Sequence, residues 1–247
     1  LKAKKEGKTA IIPAIENGQM IDNDLDRIDM LYGLGIRCLG LSYNNRTTLA
    51  DGCTERTDAG LSSFGFKVVE RMNRIGMLID LSHSSLLASK EAIEASSAPC
   101  CFSHTFPQSV HDNPRGKTDE LLCLMAENGG VIGVAAVANL ISQKETQTVF
   151  DVIDHVDYLV KLVGIDYVAI GTDALFGDHV GMHKYIRGIM DMGKALKEMQ
   201  ASHIEYIEHP GQWPNITRAL VSRGYSDEDI QKILGENIMR LLKQTIG

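Results

Sequence analysis

Proline is scarce, 6 residues in 247 against 23 glycines, and no stretch approaches the roughly 20 consecutive apolar residues that a membrane-spanning helix needs. With 44% hydrophobic and 23% charged residues the composition is that of an average globular protein, which excludes disordered, collagen-like and low-complexity chains. Positive charge is also in deficit. The 25 Lys and Arg face 32 Asp and Glu, a formal charge of -7 that repels phosphate backbones and anionic lipid surfaces, so nucleic acid is not an expected partner. The opening Leu1-Lys2-Ala3-Lys4-Lys5-Glu6 lacks the apolar core of a signal peptide. It also lacks an initiator Met, and a strand-like run follows almost at once, the expectation for a processed form or a piece of a longer chain. Cys38, Cys53, Cys100, Cys101 and Cys123 are odd in number and follow no CxxC spacing, and three lie in or beside apolar runs where cysteine packs as a small hydrophobe. A reducing compartment, the cytoplasm, is the expected location.

What the chain does have is alternation. Short apolar runs rich in β-branched residues recur at residues 9–15, 37–42, 77–82, 100–103, 131–137 and 167–172, each bounded by Gly, Asn, Asp or Ser. Helical patterns fall between them, at residues 25–34, 64–74, 84–95, 118–127 and 149–163. In the second of these Phe66, Val69 and Met72 are expected on one face. From about Leu196 the chain reads as helices only, with one over 216–222 and a last one over 226–244 that opens on a Ser226 cap and acidic residues. No repeat and no linker is visible, so residues 1–247 read as one domain.

Near-continuous apolar strands separated by helices predict a parallel sheet buried on both faces, either doubly wound or closed as a (β/α)8 barrel. The strand ends decide between them. Glu16, Tyr43, His83, His104 and Asp173 each follow a strand candidate, and a barrel gathers its chemistry at those ends. No GxGxxG follows the first strand, and neither GxxxxGK[ST] nor GxSxG is present. The expected fold is an α/β, TIM-type barrel with about six of its strands in this chain.

A single histidine at a strand end is ordinarily structural. His83 and His104, however, share an apolar-strand, Ser, His context on successive strands, which would place both imidazoles in one barrel mouth. With the Glu16 carboxylate they make a donor set suited to Zn2+ with room for a water that becomes hydroxide near neutral pH. Asp173, after Gly171-Thr172, could take a proton from that water and deliver it to a leaving amine, and the glycine suggests close approach to a ligand; its bland alternative is a helix cap. Arg115 could clamp a substrate carboxylate. His155, His203 and His209 read as surface residues. His179 and His183, near Asp178, could form an i, i+4 ligand pair, although a loop or lid role fits them better.

These residues lie in stretches that resemble the membrane dipeptidase (renal dipeptidase) family of zinc peptidases, bacterial members included. The stretches are IIPAIENG around Glu16, LGLSYNNRTTLADG from Leu39, GLSSFGFKVVERMNRIGMLIDLSHSS around His83, APCCFSHTF around His104, Asn113-Pro114-Arg115, DYVAIGTD at Asp173 and GENIMRLL from Gly235. The resemblance spans nearly the whole chain. It implies a metal-dependent hydrolase barrel with two zinc ions, Glu16 bridging them, His83 and His104 on the second zinc, Arg115 on tetrahedral or carboxylate oxygens, and Asp173 on the bridging hydroxide. It implies hydrolysis of dipeptides, often with a D-residue at the C-terminal position. The family's His-x-Asp pair on the first barrel strand is absent, since no histidine precedes His83. The expectation is therefore that Glu16 follows the third barrel strand, that two βα units are missing, and that two sheet edges are left open. Tyr43 stands where renal-type enzymes have a histidine near the scissile carbonyl, and its hydroxyl can still donate to an oxyanion.

The function expected is that of a zinc-dependent metallodipeptidase acting on small dipeptides, with room for a homodimer. The rivals are hydrolysis of a lactam, an N-acyl amino acid or another amide, with the loop from Ala174 to Tyr185 choosing the substrate, and a truncated or metal-poor chain that acts as a binding or accessory protein or has no activity.

Overall fold

The computed structural model describes residues 2–174, 201 and 203–246, and within them all six expected strands form. They are β1 (Ala14–Ile15), β2 (Cys38–Gly40), β3 (Leu78–Asp80), β4 (Cys101–Thr105), β5 (Val131–Val134) and β7 (Val168–Ile170). Five are shorter than the apolar run that announced them, and β4 extends two residues past its own, to Thr105. β1 is the extreme case: Thr9 to Pro13 are outside the strand, with Ile11 86% exposed. The six are parallel and lie in chain order, β1-β2-β3-β4-β5-β7. A doubly wound sheet reverses direction at a switch point, whereas strands that add always on the same side make the wall of a barrel. Among the described residues β1 and β7 are not paired with each other.

Alternation along each strand sorts the side chains into two layers. Leu39, Ile79, Phe102, Ile132 and Val168 join the large core shared with the helices. Cys38, Leu78, Cys101, Val131 and Ala169 form a second, inner cluster, into which Leu241 packs from α9 (Asn237–Thr245).

The helices between strands begin on side-chain caps. α1 (Lys2–Lys5) precedes β1, and among the helices between strands α2 (Asp26–Gly33) is the exception, with no side-chain cap bond at Leu25. α3 (Ser63–Ile75) starts where Ser62 accepts from the Gly65 N–H and ends at Gly76, in the left-handed region at φ 75°. Its buried stripe is Gly65, Val68, Val69 and Met72; Phe66, expected on that face, is 42% exposed because the stripe runs through Gly65 and Val68, one position earlier than Phe66 and Val69. α4 (Leu86–Ala95) is capped by Ser85, and α5 (Asp119–Glu127) by Thr118 with Asp119 and Glu120 in its first turn. α6 (Val149–Val163) matches the expected span and carries a capping box between Thr148 and Asp151.

The expectation of helices only after about Leu196 needs correction. β8 (Ile204–Glu205) pairs in parallel with β6 (Gln147–Thr148), a pairing too short to leave a periodic signal. Buried Asn139 anchors this segment, donating to the Ala201 carbonyl at 2.7 Å and accepting from its N–H at 2.9 Å. α7 (Pro214–Ser222) follows. The last expected helix is three pieces, α8 (Asp227–Gln231), a π-helical turn (Lys232–Glu236) and α9, because Gly235 leaves helical dihedrals. No described helix is long and apolar enough to cross a membrane.

Candidate metal centre

The parallel, sequential strands bring Glu16, Tyr43, His83, His104 and Asp173 to one rim. Glu16 directly follows β1, His104 lies near the end of β4, and the others sit in the turns after β2, β3 and β7. Close packing of strand backbones makes this possible: a Cβ on Gly40 would collide with the Glu16 carbonyl, and one on Gly171 with the Ser103 carbonyl. Gly171 therefore serves the approach of β4, not of a ligand as its position before Asp173 had suggested.

Ligand atoms of Glu16, His83 and His104 all lie within 4.8 Å of one another. His83 Nε2 is 2.9 Å from His104 Nε2, which in turn is 3.5 Å from Glu16 Oε1 and 4.0 Å from Asp173 Oδ2. The Tyr43 ring stacks on that of His83 with centroids 4.1 Å apart.

The polar groups behind the rim fix the tautomers. His83 Nδ1 is 2.8 Å from the side-chain oxygen Oδ1 of Asn44, which can only accept, so the ring proton is on Nδ1. His104 Nδ1 is 2.8 Å from Ser103 Oγ, and Ser103 donates its one hydroxyl proton to Asp80 Oδ2 at 2.5 Å. Ser103 must then accept from His104 Nδ1–H. Asp80 is buried and also accepts from the Ser82 hydroxyl at 2.6 Å and from the N–H groups of Ser82 and Ser103, both at 3.0 Å. Burial alone would raise its pKa; the neighbouring His104 and the hydrogen bonds from Ser103 and Ser82 outweigh that and hold it below the ordinary value.

Both imidazoles therefore turn an Nε2 lone pair towards the same point. Burial and then the Arg115 charge push the His104 pKa down, which favours this neutral form. The Glu16 side chain is 48% exposed, and its partial burial, followed by the charges of Asp173 and Asp80, raises its pKa to about 7. Two convergent nitrogen donors and a carboxylate whose negative charge is penalised are the complement of a divalent cation, and this donor set fits zinc. It is the one such triad among the described residues. Burial, then Glu16 and Asp173, raises the Tyr43 phenol to about 12, so it stays an O–H donor at neutral pH.

Arg115 is brought to the site but is nine-tenths hidden, with Nη1 donating to the Ser82 carbonyl and Nη2 to the His104 carbonyl at 3.3 Å. Asp173 is in the left-handed region at φ 54°, a conformation that aspartate tolerates better than most residues. His155, expected at the surface, is buried and hydrogen-bonds the Ile141 carbonyl at 2.8 Å; it falls on the inner stripe of α6 with Val152, Val156 and Leu159. His203 and His209 are exposed. Asp178, His179, His183 and nearly all of the loop from Ala174 to Tyr185 lie outside the described residues. Sequence reasoning missed Asn44, Asp80 and Ser103. The signal for two of them was present in Asp80-Leu81-Ser82-His83 and Ser103-His104.

The chain matches the membrane dipeptidase family, peptidase family M19, over residues 1–199 and 198–246. It is 32% identical to rat (Rattus norvegicus) Dipeptidase 3, covering 96% of this chain and 45% of that protein. It is 29% identical to Dipeptidase tcpJ of Claviceps purpurea, covering 97% of this chain and 52% of that one. The chain thus spans about half the length of these curated relatives. Its structure superimposes with a TM-score of 0.90 on an amidohydrolase from Pseudomonas aeruginosa, at 32% identity and over 100% of this chain and 76% of the other. With the family matched along almost its whole length, this chain belongs to the membrane dipeptidase family, peptidase family M19.

Proposed function

We propose that the chain is the metal-binding wall of a zinc-dependent dipeptidase. The convergence of Glu16 Oε1, His83 Nε2 and His104 Nε2, with both ring tautomers set from behind, carries this reading. A zinc ion held by these three residues would supply a water acidic enough to act as hydroxide near neutral pH. The remaining groups divide the work of peptide hydrolysis. Asp173, beside His104, accepts a proton and returns it to the leaving amine. The Tyr43 hydroxyl, protonated and on the rim, donates to the oxyanion that develops on the scissile carbonyl. Arg115, whose charge is felt at both Glu16 and His104, binds the substrate carboxylate with the N–H groups that the Ser82 and His104 carbonyls leave. The two-zinc site of the family needs donors beyond this triad.

A second reading, hydrolysis of another amide, is favoured by the similarity to the Pseudomonas amidohydrolase. Pocket walls, not the metal donors, separate the two.

Elemental analysis of the purified chain, with turnover of L,L- and L,D-dipeptides against other amides, tests both. Bound zinc with dipeptide turnover is expected. Turnover of other amides alone would favour the second reading, and a chain that holds no zinc would overturn both.

A further inference from the structure

Lys117 lies in the loop between β4 and α5, two residues beyond Arg115, and is 0% exposed. Among the described residues it makes no ion pair with a carboxylate. Its ammonium donates to the Ser84 carbonyl at 2.5 Å and to Ser89 Oγ at 3.4 Å, and stands 5.1 Å from the centre of the Phe102 ring. Burial pulls its pKa down to about 7. An apolar side chain would fill this space without the desolvation penalty of an ammonium but would leave the buried Ser84 carbonyl only the Ser89 hydroxyl at 3.5 Å, so packing alone gives no reason for a lysine here.

The partners of Lys117 supply one. Arg115 Nη1 donates to the carbonyl of Ser82 and Lys117 Nζ to that of Ser84, so the two cations hold the backbone on either side of His83. The carbonyl of His83 itself accepts from the Cys53 N–H at 2.9 Å. The loop bearing both cations is tied to the chain just after His104: Lys117 N–H donates to the Phe106 carbonyl and Gln108 N–H to the Lys117 carbonyl, both at 2.9 Å. Gly116, between the cations, packs so closely on Phe106 that a Cβ would stand 2.8 Å from its ring. The loop is thus a rigid strut from the backbone beside His104 to the turn that carries His83.

We propose that Lys117 is a positioning residue for the metal centre, acting through the Ser84 carbonyl to fix the turn that aims His83 Nε2 at the point shared with His104 and Glu16. This rests on the reading of that triad as metal ligands.

The test compares the parent chain with Lys117→Met, which keeps the length and removes the donor, and Lys117→Gln, which restores a neutral donor. Three quantities are measured: unfolding of the metal-free proteins in urea, zinc affinity by competition with a chromophoric chelator, and the visible spectrum of the cobalt-substituted proteins. Lys117→Met is expected to fold, to bind zinc about 10- to 100-fold more weakly, the range for loss of an outer-shell partner of a metal ligand, and to show an altered cobalt band. Lys117→Gln is expected to recover most of the affinity. Zinc affinity within two-fold of the parent in folded Lys117→Met would overturn the proposal. So would a Lys117→Met chain that does not fold while Lys117→Gln folds and binds zinc as weakly as a His83→Ala variant. If the parent binds no zinc that His83→Ala and His104→Ala remove, it is the triad reading that has failed.

Discussion

His83 and His104 hold their Nε2 atoms 2.9 Å apart while Nδ1 of each is engaged behind the rim, by Asn44 and Ser103 respectively. Two lone pairs face each other at hydrogen-bond distance, an arrangement that a cation satisfies. His83→Ala and His104→Ala are each expected to abolish zinc binding at this position, as read by elemental analysis after gel filtration. Full zinc content in both variants would sink the triad.

Asp80 does not touch His104, yet it sets that ring's tautomer through the Ser103 hydroxyl. Asp80→Asn replaces an acceptor of four hydrogen bonds with an amide whose NH2 can only donate. A loss of about 3 kcal/mol in urea unfolding is expected, the scale of a broken buried charged network, together with zinc affinity about 10-fold or more below the parent. Unchanged stability and affinity would show that Ser103 is oriented without it.

The sign of the pH dependence follows from Glu16. Its pKa is raised to about 7 from 4.5, so below about pH 7 a proton competes with the metal for the carboxylate. Zinc affinity is expected to climb with pH up to about 7 and to gain little from Glu16 above it. In the metal-free chain the same shift means that stability from this group is present below pH 4.5 and is lost as pH rises through about 7. The Glu16 part of both trends should vanish in Glu16→Gln, leaving the slope from His83 and His104, and calorimetric zinc titrations with urea unfolding of the metal-free chain across this range would reveal it.

For Tyr43 the expected variant effect is kinetic. Tyr43→Phe keeps the ring stacked on His83 and removes only the hydroxyl, so kcat is expected to fall about 100-fold, the scale of one lost oxyanion donor, with KM little changed. A KM effect alone, in steady-state dipeptide assays, would move Tyr43 from oxyanion stabilisation to substrate binding.

Strands were legible because burial on both faces writes itself as near-continuous apolar runs such as Val131 to Val137, and the start of the last helix because Ser226 and the acidic residues after it announce a cap. The rim residues were legible for the same reason: a polar residue just after an apolar run marks a strand end. What lay hidden was whatever depends on contact between distant segments. Asn44 reaches His83 across 39 positions, and nothing local in Tyr43-Asn44-Asn45 singles it out. His155 looked like a surface residue because a polar side chain on an amphipathic helix ordinarily is one; only its bond to the Ile141 carbonyl explains its burial. Gly171 was read against an imagined ligand when its neighbour was the backbone of β4.

The strand order has a mechanical side. Glu16, His83 and His104 come from β1, the turn after β3, and β4, so an ion gripping all three spans four neighbouring strands. It acts as a rivet through the wall as well as a reaction centre. Chelation should therefore loosen the amides of β1 to β4 together, leaving β5 and β7 as they were, and hydrogen exchange would display the site's outline as a boundary running down the sheet.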